Sequence, residues 1–278
     1  MNWDEIVFKI QNGLDRVVRW ARLAPDHAGG CRRFLIIQID GLSHGRLLKA
    51  IEKKQLPFLA RLLQSGGVRL QRFSCGLPTS TPAFQAGIMY GETQDIPSFH
   101  WYDKRRHVDM HMPLVSVASR VEQLHAAGRK GILKDGTSYG CVFGGEADVA
   151  MVNFARIGKP NLRLDYSTLR FFIPSVIGLW VTGKIVLLSA LELFKGLYAI
   201  GVDCLQGRTE VMTCKVLLLK VVFSVVLRQL FTLGVSHDVY RGIPAIYVNF
   251  LGYDTYSHPY GPDHRMSLRA LREIDNGI

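Results

Sequence analysis

Asp40, the hydroxyls of Thr79, Ser80 and Thr81, and the pair Asp254 and His258 have the residue types and settings for chemistry. Asp254 and His258 stand four apart in Tyr253-Asp254-Thr255-Tyr256-Ser257-His258, just after an apolar run. One helical turn or a tight loop there aims carboxylate and imidazole at a single point, as metal ligands require. Asp40 closes another apolar run and is followed by Gly41, where it either caps the next helix or binds a ligand. The segment Leu77-Pro78-Thr79-Ser80-Thr81-Pro82 puts three hydroxyls at the opening of a helix. Such hydroxyls cap the helix or, beside free N–H groups and the positive dipole end, bind phosphate and furnish a nucleophile. Oxygen and nitrogen donors without thiolates suit zinc, with manganese second.

Strands and helices must position these groups. Phe34–Ile39 and Ile246–Leu251 are short, β-branched and nearly continuously apolar, the pattern of parallel strands buried on both faces. Leu47–Ile51 and Phe58–Leu63 read as helices, and Val68–Phe73 alternates like a strand. The glycine-rich stretch Gly131–Ala147 reads as loop; its glycines could cradle phosphate, but it lacks the G-x-x-x-x-G-K-[ST] pattern. The aromatics of Pro97–Asp103 line a pocket or pack. Strand, helix, strand, helix predicts an α/β fold, a doubly wound, mostly parallel sheet flanked by helices, with ligands at the strands' carboxyl ends. Ile6, Ile10, Leu14, Val17 and Val18 fall at helical spacing, acids first and bases last, which predicts an amphipathic N-terminal helix. The expected organisation is that helix and a linker over 1–30, the first part of an α/β core over 31–165, an apolar helical insertion over 166–235, and a return to the core over 236–278.

Three motifs together, Ile37-Gln38-Ile39-Asp40-Gly41, Leu77-Pro78-Thr79-Ser80-Thr81-Pro82 and Gly252-Tyr253-Asp254-Thr255-Tyr256-Ser257-His258-Pro259-Tyr260-Gly261-Pro262, resemble the alkaline phosphatase superfamily, nearest its nucleotide pyrophosphatase/phosphodiesterase branch. The resemblance implies an alkaline-phosphatase-like sheet and two divalent metal ions, usually zinc. It implies Asp40 and the nucleophile Thr81 on one metal, Asp254 and His258 on the other, and a phosphothreonine intermediate. A phosphate ester is then the substrate; a phosphomonoesterase, sulfatase, phosphomutase or non-catalytic membrane-associated member of the fold is the neighbouring reading. The chain departs from the family where Pro82-Ala83-Phe84-Gln85 follows the nucleophile in place of a phosphate-holding Asn. The family's further Asp-His pair and His are not met before Ile278, and Asp263 and His264 are no replacement for them. The resemblance therefore implies the first part of a longer enzyme or a degenerate member.

The chain has 278 residues and 48% hydrophobic content, which excludes a disordered or collagen-like protein. Its net charge of +11 suits an anionic phosphate ester or an anionic membrane surface. The basic residues are dispersed rather than clustered with aromatics, so no specific nucleic-acid binding is expected. Five scattered cysteines with no Cys-x-x-Cys pair argue against a disulfide framework and for a reducing compartment. Asp4 and Glu5 stand where a secretory signal carries positive charge, so a cytoplasmic or membrane-associated protein is expected. Phe171–Phe194 and Val211–Val235 are apolar but interrupted by Lys184, Glu192, Lys215, Lys220 and Arg228. A bilayer span takes about 20 apolar residues, so these stretches read as helices packed on each other or on the sheet, or in membrane contact.

Overall fold

The computed structural model describes residues 33–156, 176–205 and 214–278. The expected N-terminal helix lies outside these residues, as do the beginnings of both apolar stretches. In chain order the elements are β1 (Phe34–Ile39), α1 (His44–Glu52), α2 (Pro57–Gln64), α3 (Thr81–Tyr90), the pair β2 (His100–Asp103) and β3 (Val108–His111), and α4 (Val115–Ala126). There follow β4 (Thr137–Tyr139), β5 (Val149–Met151), α5 (Val176–Leu205), α6 (Cys214–Val221), a π-helical turn (Val222–Val226), α7 (Leu227–Arg241), β6 (Ala245–Phe250), α8 (Gly252–Tyr260) and α9 (Arg265–Asp275).

The main sheet has the order β1-β6-β4-β5 and is parallel throughout. Side chains alternate across β6, and each face carries its own core. Ala245 and Tyr247 meet Ala83, Ala86 and Met89 of α3 and Ala118 and Val121 of α4. Ile246, Val248 and Phe250 meet Ala50 of α1, Phe231 of α7 and Leu271 and Ile274 of α9. The molecule is thus an α/β protein with a four-stranded parallel sheet flanked by helices. Each large apolar side chain sealed here contributes about 1.5–3 kcal/mol relative to leaving it in water. In the antiparallel hairpin β2–β3, Phe99 and Trp101 pack against the first core, so the Pro97–Asp103 aromatics serve packing at those positions.

Three expectations are corrected. β6 is buried along its length, but β1 stands at the edge of the sheet formed by the described residues, pairing among them with β6 alone, and Phe34 is 38% and Leu35 40% exposed. Val68–Phe73 forms no strand; it pairs with nothing among the described residues, and Val68 and Phe73 are exposed. Alternation alone does not make a strand without a partner ladder.

The third correction concerns Gly131–Ala147, which is not simply loop: Thr137–Tyr139 is β4, wholly buried and hydrogen-bonded between β6 and β5. Its glycines serve close approach of backbones. A β-carbon would lie 2.2 Å from the Gly145 carbonyl oxygen at Gly131 and 2.1 Å from the Ala245 carbonyl oxygen at Gly136. Buried Glu122 of α4 fastens the far end of the segment, accepting from Gly144 N at 2.6 Å, Gly145 N at 3.0 Å and the Tyr90 hydroxyl at 2.8 Å.

Both apolar stretches are helical where described. Val181–Val202 and Leu217–Arg241 are long and apolar enough, by length and composition, to cross a membrane; 6% of the first and 44% of the second is buried. The second packs on the sheet. Phe231 enters the core, and Tyr139 of β4 donates to Asp238. Lys220 and Arg228 are buried against α8 and α9. Lys220 Nζ sits 3.9 Å from the centre of the Tyr260 ring and 5.0 Å from that of Tyr256. Arg228 Nη1 donates to the Glu273 carbonyl oxygen at 2.9 Å and Nη2 meets the Glu273 carboxylate at 3.3 Å.

Candidate functional site

β1 passes directly into Asp40, and β6 into α8 after Leu251. The strands are parallel neighbours, with Gln38 opposite Asn249 and Ile39 opposite Phe250, so both chains emerge at one carboxyl edge. The Asp40 N–H donates to the Phe250 carbonyl at 3.1 Å. Gly41 makes the junction possible. It takes φ of 71°, and a β-carbon there would lie 2.6 Å from Asp254 Oδ1, so only a residue without a side chain lets Asp254 approach the end of β1.

Asp40 is nearly enclosed, at 9% exposure. Burial first, and then the negative charge of Asp254, push its carboxyl above the usual carboxylate range, while hydrogen bonds from Thr81, Asn249 and Gln38 pull the other way. Thr81 Oγ1 donates to Asp40 Oδ1 at 3.1 Å and lies 3.3 Å from Oδ2. Gln38 Nε2 donates to Asp40 Oδ1 at 3.2 Å, and Gln38 Oε1 accepts from Gln85 Nε2 at 3.2 Å and from the Tyr247 hydroxyl. Gln85 Oε1 accepts in turn from Val142 N at 2.7 Å. A polar chain therefore runs from the segment after β4 to the Asp40 carboxylate.

The helix-cap reading accounts for none of these groups. Ser43, not Asp40, caps α1, accepting from Arg46 N at 3.4 Å. Ser80 occupies the cap position of α3 but makes no capping hydrogen bond, and its buried Oγ finds no partner among the described residues. Thr81, the first residue of α3, spends its hydroxyl on Asp40, and Thr79 is exposed. Gln85, near where the resemblance expects a phosphate-holding Asn, is fully buried with both amide atoms engaged.

Asp254 and His258 lie on the outer face of α8, with His258 Nε2 3.2 Å from Asp254 Oδ2. The opposite face anchors the helix. Tyr253 is fully buried, and the Tyr256 hydroxyl donates to Glu192 of α5 at 2.9 Å. His258 is 79% and Asp254 34% exposed at the side chain, so this pair faces solvent while Asp40 does not. Asp263 and His264 serve structure: Asp263 pairs with Arg46 Nη1 at 3.0 Å and Lys49 Nζ at 3.4 Å, and His264 caps α9 through Met266 N at 3.3 Å.

The four candidates thus form two pairs, Asp40 with Thr81 and Asp254 with His258, joined across Gly41. Among the described residues no group of three His, Cys, Asp or Glu side chains comes together. The donor set still fits divalent cations in kind. Two carboxylates repel each other there, and buried Asn249 Oδ1 beside Asp40 lacks a hydrogen-bond partner among the described residues. Motif reading missed Tyr247 and Asn249 and gave Gln38 and Gln85, within or beside the motifs, no part in holding Asp40. Their signal was a polar side chain in the middle of an apolar run, clearest for Gln38 and Asn249, which face each other across the β1–β6 register. Comparison with protein-family models, with curated proteins and with solved structures found no match.

Proposed function

We propose that this chain is a metal-dependent hydrolase of phosphoric esters, of phosphodiesterase or nucleotide pyrophosphatase type, on an alkaline-phosphatase-like fold. The observation that carries this reading is the hydrogen bond from Thr81 Oγ1, in the first turn of α3, to the buried Asp40 carboxylate at 3.1 Å. That bond joins two motifs of the resemblance at the carboxyl edge of a parallel sheet, where such folds bind ligands.

Thr81 is the nucleophile in this reading. Asp40, itself held by Gln38 and Asn249, orients the hydroxyl, and the free N–H groups and positive dipole of the α3 N-terminus favour the phosphoryl oxygens of an incoming ester. The Thr81 hydroxyl passes its proton to the Asp40 carboxylate that it meets at 3.1 Å, and Oγ1 bonds to phosphorus as the ester oxygen departs with its electron pair and takes up a proton from water. Water then cleaves the phosphothreonine and restores the hydroxyl. Asp40 with Thr81, and Asp254 with His258, would hold the two divalent cations, zinc or manganese. Bound there, such cations supply positive charge that acidifies a hydroxyl and stabilises the charge developing on the phosphoryl group. The exposed Asp254–His258 pair forms the open side through which ester and water arrive.

The experiment that tests this is acid quenching of the zinc-loaded protein during turnover of bis-(4-nitrophenyl) phosphate, followed by peptide mass spectrometry. A phosphoryl ester on Thr81, absent in Thr81→Ala, is expected. Turnover with the adduct on Ser80 or with no adduct would refute Thr81 as nucleophile.

A further inference from the structure

The helix α5 presents two unlike faces. On one, Glu192 accepts from Tyr256 of α8 at 2.9 Å and meets Arg269 of α9 at 3.6 Å, and Gly196 packs so closely that a β-carbon would lie 2.2 Å from Leu217 Cδ1. On the other, Val186, Leu187, Leu191, Phe194, Leu197 and Tyr198 fall within an arc of about 140° at 100° per residue. Every one of them is exposed, Phe194 by 72%, Tyr198 by 69% and Leu187 by 61%. A soluble surface rarely carries so continuous an apolar strip.

We infer that this face of α5 docks on an anionic lipid bilayer, with the helix lying in the plane of the membrane. Length is the first argument. The apolar window Val181–Val202 has 22 residues, which at helical rise gives a ridge about 33 Å long, suited to a flat lipid surface. The second is attachment. Glu192 lies midway along that window and is tied to Tyr256 and Arg269 of the α/β domain, so a helix crossing the bilayer would draw those polar partners into hydrocarbon. Lying flat keeps the tied face on the protein and turns only the apolar face to the acyl chains. Charge is the third. The chain carries +11, which repels a second copy and attracts anionic headgroups. This inference does not depend on the hydrolase reading.

The test is flotation of the full chain with vesicles of phosphatidylcholine and phosphatidylglycerol in equal parts, and with phosphatidylcholine alone. The protein should float with the mixed vesicles and at least about tenfold less with the neutral ones. Leu187→Glu and Phe194→Glu, both at exposed positions, should weaken binding at least about tenfold with unchanged unfolding midpoints, while Phe194→Leu keeps it. Wild-type protein that stays with the soluble fraction would overturn the inference, as would glutamate variants that float like wild type. Equal binding to neutral vesicles would overturn the anionic partner. A concentration-dependent dimer in ultracentrifugation that Phe194→Glu abolishes would assign the face to a second copy instead.

Discussion

Asp40 and Thr81, 41 residues apart in the chain, meet at 3.1 Å. The carboxylate would be costly to bury without the donors around it, and each removed donor leaves lone pairs unsatisfied. Thr81→Val, which keeps the shape and removes the hydroxyl, should lower stability by about 1–3 kcal/mol in urea unfolding, whereas Thr81→Ser should stay near wild type. Gly41→Ala brings a β-carbon against Asp254 Oδ1 and strains a positive φ. It should cost about 1–3 kcal/mol and weaken zinc binding by titration calorimetry, because Asp254 must retreat. Gln85→Leu leaves the buried Val142 N–H without its partner, while Gln38 Oε1 keeps the Tyr247 hydroxyl, and should cost about 1–3 kcal/mol. Of the candidate site, strand ends and a helix start marked Asp40, Asp254, His258 and the hydroxyls of Thr79, Ser80 and Thr81, and the resemblance alone singled out Thr81. The network behind them was not legible, since which polar side chain pairs with which depends on register and packing.

At the level of elements, helices α1 and α2 and the long strands β1 and β6 were legible, and the three-residue strands β4 and β5 were not. Periodicity places α1 and α2, and β-branched continuity places β6, but the same continuity in β1 hid that, among the described residues, that strand pairs along one edge only. Thr137–Tyr139 carries no apolar run, and its strand exists because Gly136 and Gly140 let it approach β6 closely. Joins between distant elements are equally invisible to local patterns. Asp275, at the end of α9, accepts from Phe58 N at 2.8 Å and Leu59 N at 2.9 Å, serving the open N-terminus of α2. Asp275→Ala should therefore destabilise by about 1–3 kcal/mol, read as a shift of the urea midpoint with an unchanged slope. The tie between α5 and α8 is tested by a double-mutant cycle of Glu192→Gln and Tyr256→Phe, with a coupling of about 0.5–3 kcal/mol expected.

For the whole molecule, the sheet delivers the two candidate pairs to one edge, α8 is anchored from behind by α5, and the apolar face of α5 points away from that anchor. Cation binding to the native edge should raise stability by mass action, about 2.7 kcal/mol at a hundredfold excess over the dissociation constant. A zinc-dependent rise in melting temperature that a chelator reverses, and that Asp40→Ala and Asp254→Ala each diminish, would register it. The most direct test of the central claim is the zinc-dependent rate of nitrophenol release from bis-(4-nitrophenyl) phosphate by the wild-type protein and by Thr81→Ala. Measurable hydrolysis is expected in the first and a fall of about a thousandfold or more in the second, assayed where urea unfolding shows that variant, though less stable, to be fully folded. Hydrolysis at the wild-type rate in Thr81→Ala would contradict the claim.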